Sequence, residues 1–166
     1  MSRRLAAYGL AVVWFALDRL TKALVQGAMA PQEVFSVIPG FFEMVYTRNR
    51  GIAFGLMSEG DFEWRAFFLI GLTALVMAFV VAILWQSPPR GMMASRLTRL
   101  GLALVLGGAL GNLYDRLLEG SVTDFLSFHA GSFYWPAFNV ADSGITVGAC
   151  LVLLDLWRNR HRPIET

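Results

Sequence analysis

The chain has 166 residues, of which 56% are hydrophobic and only 16% charged, with a formal net charge of +2. A soluble domain carries about 25% charged residues, so this composition excludes a soluble globular domain, a disordered chain and a collagen-like one. A single cysteine, Cys150, excludes an intrachain disulfide and a cysteine-rich metal site. The small charge and scattered arginines do not suggest a nucleic-acid partner.

A spanning helix needs about 20 apolar residues. Four segments meet that length: about 5–29, 66–85, 97–118 and 138–157. The first is interrupted by Asp18, Arg19 and Lys22. Its Arg3-Arg4 start and Ala28-Met29-Ala30 end look like a signal peptide with a cleavage site. The three charges before that site argue instead for an uncleaved span. Asp18 and Lys22 are four apart and share a helix face, and Lys22 is the chain's one lysine. They read as an ion pair that lets the helix tolerate charge, as a lysine snorkelling to the interface, or as a brace for a polar site.

The first connection carries alternation over Phe42–Tyr46 that suits a short strand. Asn49 and Gly51 in Thr47–Gly55 are turn formers, predicting a hairpin. An extended edge there could also hold a peptide by backbone pairing. The second span has no charge, and the Pro-containing 87–96 link follows it. In the third span Gly107, Gly108 and Gly111 predict close helix packing. Asn112, Asp115 and Arg116 lie near its end, and Asp124 just beyond. Arg116 beside Asp115 suggests that these two pair. Phe125, Phe128, Phe133, Tyr134, Trp135 and Phe138 read as an interfacial aromatic belt or a lipid-facing entrance. His129 reads as an interface residue and Cys150 as an inert packing residue. Asn139 and Asp142 open the fourth span.

Eight of the fourteen Lys and Arg residues (Arg3, Arg4, Arg90, Arg96, Arg99, Arg158, Arg160, Arg162) fall on one side of a four-span chain. That bias places both termini in the cytoplasm. Asp18 lies 13 residues after Leu5, about 20 Å up its helix at 1.5 Å per residue. Polar residues from three spans therefore share one depth near the outer surface. Ionisable residues in spans are costly and usually face a bundle interior or a functional cavity. Asp124 and Asp142, with no obvious cationic neighbour in sequence, fit acid–base catalysis, proton relay or metal binding.

With these residues in order, the chain resembles the bacterial lipoprotein signal peptidases (signal peptidase II). The Asp18–Lys22 pair, the box Asn49-Arg50-Gly51-Ile52-Ala53-Phe54, the stretch from Gly107 through Asn112, Asp115 and Arg116 to Asp124-Phe125, and Phe138-Asn139-Val140-Ala141-Asp142-Ser143 are similar to the family's four boxes. Ile52 stands where the family often has Ala. The resemblance implies an all-α membrane protein of four transmembrane helices with a small extracytoplasmic β-containing loop region, one domain over 1–166. It implies an aspartic endopeptidase with Asp124 and Asp142 as the catalytic dyad. Asp18, Lys22, Asn49, Gly51, Asn112, Arg116 and Asn139 would bind substrate or support the dyad, with Asp115, Gly107, Gly108 and Gly111 structural. The implied substrate is a diacylglyceryl-modified prolipoprotein, cut just before the lipidated cysteine, and globomycin is the implied inhibitor. Membrane lipids are the surroundings, no metal or cofactor is expected, and the chain is read as a monomer of the bacterial inner membrane with its site near the outer face. The competing readings are a proton-coupled small membrane transporter using intramembrane carboxylates and a metal-dependent enzyme acting on lipid headgroups. Against the transporter, the polar residues stop at the outer half.

Overall fold

A computed structural model describes residues 3–51, 62–86 and 95–159. Helix α1 runs over Arg3–Ala28, strands β1 and β2 over Val34–Ile38 and Phe42–Asn49, and helices α2 and α3 over Phe62–Gln86 and Arg96–Glu119. Strands β3 and β4 follow at Val122–Ala130 and Phe133–Tyr134, then α4 at Val140–Asn159. The helices match the four apolar segments of the sequence to within a few residues at each end. By length and composition, α2 (from Ala66), α3 and α4 are apolar enough to cross a membrane. α1 has the length, but Asp18, Arg19 and Lys22 keep it out of that class.

From Ala66 on, α2 carries no charge and leaves Phe67, Leu75, Phe79 and Trp85 exposed. Such a helix belongs in a core or a membrane. Helix α3 is the hub, packing on α1, α2 and α4. Ser95 caps its start, accepting from the Leu97 N–H at 3.1 Å, and Gly120 ends it at φ +66°, a left-handed cap that favours glycine. Its glycines let two neighbours in at once. A β-carbon at Gly107 would meet the Ala11 backbone of α1, and one at Gly108 the Ala141 carbonyl of α4. Below them Ala7, Ala11, Val80, Leu84, Leu102, Ala103 and Leu106 form the apolar core. At the far end of the α3–α4 pair, buried Asp155 accepts from Ser95 Oγ at 2.9 Å and Thr98 Oγ1 at 2.6 Å.

The connections fold into one antiparallel sheet, β1-β2-β3-β4, so the expected β-containing loop region is present and the chain is mostly helical. The strand expected at Phe42–Tyr46 continues to Asn49, and the hairpin that contains it turns upstream, between β1 and β2. Asn49 therefore ends a strand instead of making that turn. Ile52–Gly55 lie outside the described residues, as does the 87–94 part of the Pro-containing link. Gly131, at φ +60°, sits in the tight turn between β3 and β4. The aromatic belt divides. Phe125 is buried with Val25 and Tyr46, Phe128 stacks on Phe42 and Phe138, and Phe133, Tyr134 and Trp135 remain exposed. Cys150 is exposed on α4, so it does not pack in the bundle: its helix turns that face away from α3.

Candidate active site

The site assembles where α1, α3, the sheet and the start of α4 meet. Its base is Lys22, fully buried on α1. The ammonium forms ion pairs with Asp18 Oδ2 at 2.9 Å and Asp115 Oδ2 at 2.9 Å, and donates to Asn112 Oδ1 at 3.1 Å. Each carboxylate then reaches a different element. Asp18 Oδ1 accepts from the Ala141 N–H at 2.8 Å, in the first turn of α4. Asp115 Oδ2 accepts from the Thr123 N–H at 3.2 Å, one residue before Asp124. Asp115 also pairs with Arg19, whose guanidinium lies 4.4 Å from the centre of the Tyr114 ring. Two basic side chains, Arg19 and Lys22, thus face two acidic ones, Asp18 and Asp115. Gly111 makes room for this cluster, because a β-carbon there would meet the Asp18 carboxylate.

This arrangement corrects the expected Asp115–Arg116 pair. Consecutive helical residues do not face each other. Asp115 turns toward α1, while Arg116 lines the same cavity as Asp124 and Asp142.

Asp142 lies in the first turn of α4. The Asp142 N–H donates to Asn139 Oδ1 at 2.9 Å, and the Asn139 N–H donates back to Asp142 Oδ2 at 3.3 Å. This is a capping box, which satisfies otherwise orphaned helix N–H groups and fixes the carboxylate. Asn112 Nδ2 donates to Asp142 Oδ1 at 2.7 Å. Trp14 Nε1 donates to the Val140 carbonyl at 3.1 Å and steadies the same turn.

Asp124 comes from β3. Asn139 Nδ2 donates to its Oδ1 at 2.7 Å and Asn49 Nδ2 to its Oδ2 at 2.9 Å. Asn49 Oδ1 in turn accepts from the Gly51 N–H at 2.9 Å. The placement of Asn49 depends on a register shift. Met44 pairs with Leu126, but Thr47 pairs with Asp124, so β2 gains one residue between them. Side chains alternate across a strand. Without the extra residue, Tyr46 and Arg48 would share the Asp124 face; with it, Thr47 and Asn49 do. Bulges commonly re-aim a side chain in this way.

Among the described residues, Asn139 hydrogen-bonds to both carboxylates, through its backbone N–H and its side-chain amide. Asp124 is 2% exposed. Burial first, and the Asp142 charge second, push its carboxyl up to about 7, with the Asn49 and Asn139 hydrogen bonds pulling the other way. The two aspartates, Asn49, Asn112 and Arg116 line a cavity of about 460 Å³ that continues along α4 past Ile145 to Val147.

The polar residues that the sequence assigned to the site converge here, on either the Lys22 cluster or the carboxylate cavity. Trp14 and Glu119 were not singled out, and Arg19 was read only as a charge within the first span. Glu119 accepts from Gln26 at 3.2 Å and lies 3.5 Å from Arg48. These partners come from distant parts of the chain, and no local spacing marks them. His129, expected at the interface, stacks on Tyr134 and lies 3.4 Å from Glu43.

Comparison with known proteins bears on what this geometry serves. The family model described as Signal peptidase (SPase) II matches residues 10–158. A lipoprotein signal peptidase of Solibacter usitatus is 45% identical over 96% of this chain and 94% of its own length. One of Oleidesulfovibrio alaskensis is 41% identical over 95% and 98%. A solved structure described as a bacterial membrane enzyme superposes with a TM-score of 0.80 at 28% identity, covering 97% of this chain and 93% of that one. None of these supports a transporter. With the match spanning nearly every element that builds the cavity, the chain belongs to the signal peptidase II family.

Proposed function

We propose that the chain is an aspartic endopeptidase that removes the signal peptide from diacylglyceryl-modified prolipoproteins, cutting just before the lipidated cysteine. Asp124 and Asp142 are its dyad. The observation that carries this reading is the double contact of Asn139, which ties the two carboxylates into one frame. The proteolytic activity and the prolipoprotein substrate follow the family.

Two carboxylates near one another in low dielectric do not both ionise readily. Asp124, held up to about 7, keeps the proton and Asp142 acts as base. Asp142 takes a proton from water as the oxygen attacks the scissile carbonyl carbon. Asp124 donates its proton to the carbonyl oxygen, giving a neutral tetrahedral intermediate. The intermediate then collapses: its hydroxyl returns a proton to Asp124, the C–N bond breaks, and Asp142 protonates the leaving amine. No metal, cofactor or covalent intermediate is required. Lys22, Asp18 and Asp115 position Asn112, β3 and the start of α4. Asn49, Gly51 and Asn139 set the Asp124 geometry, and Arg116 offers donors to the substrate.

In this reading the whole chain, 1–166, is one integral membrane domain. Four helices span the bacterial inner membrane, α1 included, because its three charges are paired inside the bundle rather than presented to lipid. Both termini are cytoplasmic and the cavity opens near the outer face. The protein acts as a monomer, and globomycin occupies the substrate cavity.

The test is cleavage by the purified protein of a lipidated prolipoprotein and its unlipidated twin, in EDTA, scored by gel shift. Cleavage of the lipidated form alone is the expected result. Loss of activity in EDTA would replace the dyad mechanism with a metal-dependent one.

A further inference from the structure

Asp18, Lys22 and Gln26 stand four residues apart on α1. They form one row along a single helix face, each step rising about 6 Å. Each holds a different part of the site. Asp18 accepts from the N–H of Ala141, the residue before Asp142. Lys22 donates to Asn112, whose amide in turn donates to Asp142. Gln26 Nε2 donates at 2.9 Å to Oγ1 of Thr123, the residue before Asp124. The residue ahead of each aspartate is therefore held from the same helix. Asp18 and Lys22 already have roles in the site; Gln26 has none.

We propose that Gln26 is a positioning residue for the reaction: through Thr123 it sets where Asp124 stands relative to Asp142. This rests on the peptidase reading above. Thr123 is fully buried, and its N–H, carbonyl and hydroxyl each meet a different part of the fold. The N–H donates to Asp115 on α3 at 3.2 Å, the carbonyl accepts from Asn139 Nδ2, just ahead of α4, at 3.3 Å, and the hydroxyl oxygen accepts from Gln26 on α1. Side chains alternate across a strand, so Thr123 faces α1 while Val122 and Asp124 face the cavity. Gripping Thr123 on one face of β3 fixes the height of Asp124 on the other. The Gln26 amide is itself oriented. Its nitrogen also lies 3.2 Å from Glu119 Oε2, and an ionised carboxylate only accepts, so the nitrogen and not the oxygen turns this way. Arg48 at 3.5 Å and Arg19 at 4.0 Å keep Glu119 in place. Leaving a buried hydrogen-bonding group without its partner is costly, so the Gln26–Thr123 bond resists a slide of β3 along α1.

The test measures kcat and KM on a lipidated prolipoprotein, with detergent-purified variants whose melting is recorded alongside. Gln26→Leu and Thr123→Val nearly keep side-chain size and remove the bond. Each is expected to lower kcat about tenfold, the scale of a displacement of under about 1 Å. KM should stay near the wild-type value, since neither residue is among the described residues that line the cavity. The double variant should be no slower than the slower single one, because both changes act through one bond. Thr123→Ser keeps the hydroxyl and should recover most of the rate. An unchanged kcat in Gln26→Leu, multiplied losses in the double variant, a rise in KM in place of the fall in kcat, or a Thr123→Ser variant as slow as Thr123→Val would each overturn the proposal and leave the peptidase reading intact. Thr123→Val decides the matter alone if Gln26→Leu does not fold. Failure of the wild type to cut the substrate would overturn the peptidase reading, and the role of Gln26 with it.

Discussion

Asn139 does three things at once, and replacing it by serine or alanine separates them. Its Oδ1 caps α4, its backbone N–H holds Asp142, and its Nδ2 holds Asp124. Asn139→Ala loses the cap, worth about 1 kcal/mol. It also leaves a buried carboxylate oxygen without its donor, worth about 1–3 kcal/mol. The sum, about 2–4 kcal/mol, is a large share of a typical stability of about 5–15 kcal/mol. Asn139→Ser keeps an N-cap oxygen but cannot bridge to Asp124, so it should recover about 1 kcal/mol of that loss. Both variants should be poorly active, because Asp124 loses its orientation. Their pH profiles carry the sharper expectation. The Nδ2 bond stabilises the ionised form of Asp124 and lowers its pKa. Removing it raises the pKa above about 7, so the alkaline limb of kcat/KM should move to higher pH as the maximum falls. The assay is the pH–rate profile of detergent-purified Asn139→Ser. An unmoved limb, or one moved to lower pH, would refute the placement of the shared proton on Asp124.

Stability should also follow pH through Asp124. Its carboxyl is raised from near 3.8 to about 7, so the folded state binds more protons between those values. The contribution is fully present below about pH 4 and lost as pH rises through about 7, up to about 4 kcal/mol. The melting temperature of wild type should therefore drop between pH 5 and 8, and Asp124→Asn should flatten that slope; parallel slopes would contradict it. Arg116→Ala should damage activity more than Arg99→Ala, because Arg116 lines the carboxylate cavity while Arg99 lies in the first turn of α3, at its opposite end. Equal activities at matched melting behaviour would remove Arg116 from the site. On a Cys150→Ser background, Gly60→Cys should react with an impermeant thiol reagent in intact cells and Gly91→Cys should not; the reverse pattern would invert the topology.

The helices were legible because lipid demands long apolar runs, and the polar residues stood out against them. Asp18 could be placed by helix rise, and Asn112, Asp124, Asn139 and Asp142 by their positions at or just beyond the ends of spans. Their partners could not. The pairing of Asp115 with Arg19 spans 96 residues, and sequence adjacency pointed wrongly to Arg116. The bulge that aims Asn49 at Asp124 is a relation between β2 and β3 and leaves no mark in either strand alone. β1 was missed because Val34, Phe35, Val37 and Ile38 are apolar on both faces and all exposed, so the period-2 signal of a half-buried strand is absent.

The central claim is that Asp124 and Asp142 together cut the peptide bond. Its most direct test is single-turnover cleavage of a lipidated prolipoprotein by purified Asp124→Asn and Asp142→Asn, each shown to be folded and to bind substrate. The account predicts that each variant loses at least about 10²–10⁴-fold in rate while substrate affinity is retained. Near-normal turnover by either folded variant would contradict it.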